Sequence, residues 1–364
     1  MAGRTKENLR KPILFASVTR RSESSVRAIL TRAPIALPLA GSHIDSEAHP
    51  FSHRSLGVAV DRYGLVVLRK GTSGRVDISL HGQCPEDTFR LVADAVECFH
   101  GDALRRAGVE LSLSAPGELG VLASSAIAVA LVGAISEYLH LGMSRGEIGR
   151  EAERIHARSL GWSGGWEHCS AHGGIQFLCG DGVETQVEPV GVMPGLSDTL
   201  NRRLLLFSSG DSAPSVPPSE WDTPGYVRVL HNLRAVAEEM RVALEETNLD
   251  LFGKLLDLGW SHERSLPGRP PFGRIEAGYC AALDAGASGG RAVSSNLLML
   301  YGSRIAQETI EHTMAALGWQ KVAFQFDMDG VQSSDGSGVA PWQAEGEITE
   351  REVRSWSVQP HHAI

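Results

Sequence analysis

From Arg32 onward the apolar residues come in short runs: APIALPLAG (33–41), LGVAVDRYGLVVLRKG (56–71) and RVDISLHG (75–82), each bounded by Gly, Ser or Asp. Runs of this length and punctuation read as strands joined by turns, so the first lobe opens with sheet. A helix is predicted near 85–100, a strand at 109–113 and a glycine-rich turn at 116–120. A long apolar segment begins at Ser124, where Ala126, Ala130 and Ala134 fall four apart. One helical face lined with small residues can approach a sheet closely, so this segment reads as a buried helix. Ser124 and Ser125 mark its start, either as simple capping hydroxyls or as ligand-facing ones. A second helix spans roughly 145–158. The stretch 159–182, SLGWSGGWEHCSAHGGIQFLCGDG, then concentrates Gly, Trp and His in one loop and runs into a strand. Function often gathers in such loops.

The Pro- and Ser-rich stretch 208–225 reads as a connection, with a domain boundary just before it. Beyond it Leu230, Leu233, Val236, Met240 and Leu244 recur at steps of three and four, one face of an amphipathic helix. Another helix follows at 249–264. A strand, helix and strand then succeed one another in SSNLLMLYGS (294–303), AQETIEHTMAALG (306–318) and KVAFQFDMDG (321–330), as in a small sheet with helices on one side. The predicted division is a mobile extension at 1–31, a first domain at 32–209, a second at 210–330, and a loose polar tail at 331–364.

Composition narrows the function classes. A length of 364 residues with 42% hydrophobic content suits two packed domains. A formal charge of -9 gives no basic field of the kind nucleic acid or an anionic membrane demands, so a small-molecule partner is expected, with a homodimer as the candidate assembly. The five cysteines are scattered without CxxC spacing, which signals neither a disulfide framework nor a zinc site and fits a reducing cytoplasm. No apolar run approaches the roughly 18 to 20 residues that span a bilayer. The basic opening stretch lacks the apolar core of a secretory signal. Trp221, Trp260 and Trp319 each lie beside a predicted helix and read as packing residues rather than a sugar-stacking set.

Six segments in this order, RAPIALPLAGSHID, PGELGVLASSAIAVAL, AHGGIQFL, FGKLLDLGW, DAGASGGR and FQFDMDG, give the chain a resemblance to the GHMP kinase superfamily over roughly 32–330. Within it the chain resembles the D-glycero-D-manno-heptose 7-phosphate kinase branch. The resemblance implies an α+β, two-lobed fold, with a ribosomal-protein-like first lobe and a ferredoxin-like second lobe. It also implies ATP and Mg2+ as cofactors and a sugar phosphate or cyclitol as acceptor. In the family a turn reading P-x-x-x-G-L-G-S-S-S-A leads into a helix N-terminus, whose amides and dipole favour phosphate. Pro116, Gly120, Ser124, Ser125 and Ala126 match it, while Leu122 and Ala123 replace the second glycine and the first serine. Gly120, Ser124 and Ser125 thus become the implied nucleotide-binding residues, with Ser125 and Glu153 as the implied Mg2+ ligands. The acidic Mg2+ ligand of the family falls near Ile155 and His156 in this chain, with Glu153 close by.

In GSHID the resemblance places acceptor contacts at His43 and Asp45, which also read as surface-turn residues. Two charged positions depart from the family: Ala36 stands at its arginine and Trp166 at its catalytic aspartate. The neighbouring Glu167 is the candidate base, with His168 and His172 as further candidates. The third family motif survives as Gly289, Gly290 and Arg291, so the resemblance implies Gly289 and Gly290 as further nucleotide-binding residues, and Ser294, Ser295 and Asn296 replace its later glycines. These departures leave three expectations: a kinase, a GHMP-fold binding or partner protein that has lost transfer, or other chemistry on the same scaffold.

Overall fold

A computed structural model describes residues 28–41, 53–71, 75–81, 88–120, 122–161, 163–180, 184–193, 195–210, 224–266, 273–335 and 353–357. His43, Asp45 and Trp221 lie outside the described residues. In chain order the elements of the first part are β1 (Ala28–Ala40), β2 (His53–Lys70), β3 (Val76–His81), α1 (Thr88–Cys98), α2 (Gly101–Ala107), β4 (Val109–Ser114), α3 (Leu122–Tyr138), α4 (Arg145–Leu160), α5 (Trp166–His172), β5 (Ile175–Gly180) and β6 (Thr185–Pro189). There follow α6 (Leu196–Arg203), β7 (Leu204–Ser208), α7 (Pro224–Glu245), α8 (Leu249–Arg264), α9 (Arg274–Asp284), β8 (Ala287–Ala292), β9 (Leu297–Gly302), α10 (Gln307–Ala316), β10 (Gln320–Val322), β11 (Gln332–Asp335) and β12 (Val353–Ser357).

The first sheet runs β11-β1-β2-β4-β3-β12, with β5 on β2 and β6 on β5. Its organiser is β2, which is long enough to serve two partners on one side. Residues 53–58 pair with β5 and residues 65–70 with β4, while β1 runs along the other side. Proline cannot donate to a ladder and is found at irregularities. The register of β1 accordingly shifts after Pro34 and after Pro38.

Across this sheet lies α3, buried along nearly its whole length as its apolar composition predicts. Ala126, Ala130 and Ala134 are fully buried. The close approach is reciprocal, because a β-carbon on Gly64 of β2 would stand 2.8 Å from the Ile127 nitrogen.

The second sheet is β10-β7-β9-β8, and helices α8, α9 and α10 contribute Trp260, Tyr279 and Met314 to a core shared with Leu298 and Leu300 of β9. Trp260 and Trp319 are packing residues here, as expected, and the Trp260 and Tyr279 rings meet edge-on. Among the described residues no helix is long and apolar enough to cross a membrane.

Three boundaries differ from the sequence reading. The predicted mobile extension ends early, because Ile29 and Thr31 point into the core and β1 begins at Ala28. Leu204–Ser208, assigned by sequence to the first domain, hydrogen-bonds within the second sheet. The stretch expected as a loose tail supplies β11 against β1 and β12 against β3. Its polar residues suit edge strands, where only one side is covered. The Thr31 and Ser333 hydroxyls bond at 2.8 Å, and Arg32 Nε donates to Gln332 Oε1 at 3.0 Å.

Candidate functional site

The turn predicted at 116–120 is a single tight turn over Gly117–Leu119, followed by Gly120 at φ 50° and ψ -127°. That conformation is one L side chains rarely adopt, which explains the glycine. Ala123 N donates to the Gly120 carbonyl at 3.1 Å, leading the chain into α3. Arg62 of β2 pairs with Glu118 and ties the turn to the sheet. Gly120 faces the β8–β9 turn: a β-carbon built on it meets only Asn296 Oδ1, 3.9 Å away. Ser294 Oγ donates to that oxygen at 2.7 Å. The fold thus brings the first glycine turn and the Ser294–Asn296 replacement of the third motif to one place.

Directly behind the α3 terminus lies a closed polar cluster. Ser125 Oγ donates to Glu167 Oε1 at 2.8 Å, and Ser163 Oγ donates to Glu167 Oε2 at 3.1 Å. His156 Nδ1 contacts Glu167 Oε1, and its Nε2 lies 3.1 Å from Ser124 Oγ. Three helices converge to build the cluster. The start of α3 supplies the serines, while α4 supplies His156 and is fixed by a capping box between Ser144 and Glu147. The short α5, opening after Gly165 at φ 70°, supplies Glu167.

Burial alone would raise the Glu167 pKa. The contact with His156 and the donation from Ser125 outweigh it and draw the carboxyl down to about 2. A base must reach its proton. Glu167, named from the sequence as that base, is fully enclosed and holds serines and an imidazole instead.

Glu153 does not join Ser125. Its carboxylate accepts from Thr185 Oγ1 at 3.1 Å and contacts His168 Nε2 at 3.0 Å. Magnesium takes near-octahedral oxygen ligands and retains several waters. Glu167 has no solvent exposure and Ser125 is buried, and among the described residues no group of three His, Cys, Asp or Glu side chains could hold a metal. The residues present therefore do not fit a protein-held Mg2+ at this point.

His168 and His172 are equally structural: His172 Nδ1 lies 3.0 Å from the His168 carbonyl, and burial lowers its pKa. Gly289 and Gly290 lie close against neighbouring backbone. A β-carbon on Gly289 would run into the Gly253 carbonyl of α8, and one on Gly290 into the Met299 carbonyl of β9.

The two lost charges meet. Ala36 and Trp166 pack together with Cys169 and Leu178 in one small apolar cluster, and the Trp166 ring leaves no room for a β-carbon at Gly57.

Sequence reasoning missed Ser163, which lies four residues before Glu167 in a glycine-rich loop. It also missed the role of Arg291. That side chain is buried, pairs with Glu263 of α8 and donates to the Gly41 carbonyl at 3.2 Å. Gly41 opens the GSHID segment, so the second lobe grips the root of the predicted acceptor loop.

No family model and no curated protein matches the sequence. Solved structures do match the architecture. The D-glycero-D-manno-heptose 1-phosphate kinase from Bacteriodes thetaiotaomicron is similar with a TM-score of 0.66 at 19% identity, covering 84% of this chain and 98% of its own. The fold is that of the GHMP kinases. Homoserine kinase from Cytophaga hutchinsonii shares the GHMP fold with a TM-score of 0.60 at 16% identity, covering 84% and 97% of the two chains. Mevalonate diphosphate decarboxylase from Staphylococcus aureus does so with a TM-score of 0.65 at 13% identity, covering 85% and 98%. Kinases and a decarboxylase thus share this fold, and these likenesses establish architecture alone.

Proposed function

We propose that this chain is an ATP-dependent small-molecule kinase acting on a hydroxyl of a sugar phosphate or sugar-like cyclitol. The observation that carries the reading is the convergence, within a GHMP fold, of the Gly120 turn, the α3 terminus and the Ser294–Asn296 turn. The first amides of a helix lack intrahelical partners and suit phosphate, and a β-carbon at Gly120 would come no closer than 3.9 Å to another described side chain. Phosphoryl transfer depends mainly on positioning and charge stabilisation, so an enclosed Glu167 does not remove the basis for it. On this reading the GSHID segment, whose first residue Gly41 accepts from Arg291, supplies the acceptor contacts. Acceptor-dependent ADP release across a panel of sugar and cyclitol phosphates tests the proposal. Silence across the panel, together with no nucleotide binding by calorimetry, refutes it.

A second reading is favoured by the Ala36 and Trp166 pair, which makes the expected base position apolar. On that reading the chain binds a sugar phosphate without transferring to it. Stabilisation by sugar phosphates with no effect of ATP would select it, since a ligand preferring the native state raises apparent stability.

A further inference from the structure

The cluster behind the α3 terminus is closed on itself. Both oxygens of Glu167 are taken up, by Ser125 and His156 on one side and Ser163 on the other. Both ring nitrogens of His156 face a partner, Glu167 through Nδ1 and Ser124 through Nε2. The side chains of His156 and Glu167 are 0% exposed. His156 sits on the part of α4 where the GHMP resemblance implies an acidic Mg2+ ligand, and Ser125 is the hydroxyl implied to share that ion. A magnesium site would need several oxygen donors and room for water. This enclosure presents a nitrogen heterocycle against a single carboxylate that serines already bond. Glu153, the remaining acidic residue nearby, is turned toward Thr185 and His168.

We infer that the His156 side chain stands in the place of a protein-held divalent cation, bridging Ser124 at the start of α3 to Glu167, so that the chain binds no Mg2+ through Ser125, Glu153 or Glu167. The buried carboxylate needs bonding partners, because an unpartnered charge in such a place is costly. An imidazole that meets Ser124 through Nε2 and Glu167 through Nδ1, together with the two serine donations, supplies those partners from within the chain and ties the helix terminus to α4 and α5 without metal. The inference rests on the proposed equivalence of the 116–126 turn to a phosphate loop, and not on whether transfer occurs.

Free Mn2+, which favours the same oxygen donors as Mg2+, provides the direct test. Titrated into the wild-type chain and followed by electron paramagnetic resonance, it should show no stoichiometric uptake, and the melting temperature should stay flat across Mg2+ concentrations. One Mn2+ bound per chain, and lost in Glu167→Gln, overturns the inference. His156→Glu forms the second arm, since it sets two carboxylates beside two serine hydroxyls. This variant should melt lower than wild type without metal and climb with added Mg2+, as ligand-linked stability does. A folded His156→Glu chain indifferent to Mg2+ also overturns the inference, and if the variant does not fold, the wild-type Mn2+ titration decides. Failure of the kinase reading would register in ADP release while leaving both metal readouts unchanged.

Discussion

Glu167→Gln removes one charge from the centre of the molecule while keeping the shape and the acceptor oxygen that Ser125 or Ser163 can still bond. In the wild type the carboxyl is fully buried and drawn from 4.5 to about 2, with the His156 contact and the Ser125 hydrogen bond overcoming the burial. A depression of that size corresponds to roughly 3 kcal/mol of folding stability, the range seen when one member of a buried pair is removed. Because the folded value is depressed, the contribution is complete above the unfolded value and drains away as pH falls toward the folded one. Urea unfolding should therefore show Glu167→Gln less stable than wild type by about 3 kcal/mol near pH 7, with the gap narrower by about 1 kcal/mol near pH 4 and about 2 kcal/mol near pH 3. A gap below about 1 kcal/mol near neutrality, or one that does not change with pH, would refute the account of Glu167 as a charge held by His156.

Gly289→Ala should lower stability by about 1–3 kcal/mol in the same assay, since its β-carbon meets the α8 backbone, which cannot yield as a flexible side chain would. Trp166→Asp, which restores the family residue, should cost at least roughly 3 kcal/mol and add no turnover, because it deletes a buried ring and sets a carboxylate among Ala36, Cys169 and Leu178. Joined with Ala36→Arg, the loss in unfolding free energy should fall short of the sum of the two single losses, as expected for neighbours that can pair. Tyr63→Phe deletes the hydrogen bond from Tyr63 Oη to Asp327 Oδ2 at 2.8 Å and should cost about 1–2 kcal/mol on chemical denaturation. Asp327 also accepts from the Asp329 and Gly330 amides, at 2.9 and 2.8 Å, so its fold of the 327–330 segment should loosen in hydrogen exchange.

Local patterning alone determined the strands at 33–41 and 56–71, the buried helix begun by Ser124, and the amphipathic helix carrying Leu230 to Leu244. Each announces itself through a period of two or of 3.6, or through continuous apolarity. The ordered motifs likewise pointed to the GHMP architecture that the solved structures bear out. Only the tertiary structure decided where the polar residues turn. Residues 332–335 carry no apolar signal, yet they form a strand because the free edge of β1 needs backbone partners. Gly289 and Gly290 read as a ligand loop, but their lack of side chains serves α8 and β9 instead. Most tellingly, Ser124, Ser125, His156, Ser163 and Glu167 come from α3, α4, α5 and the loop before it, and no single sequence spacing relates all five. Their meeting depends on how three helices pack, and packing then sets the charge state of Glu167: burial removes water, so whichever donors the fold brings within reach determine what the carboxylate does.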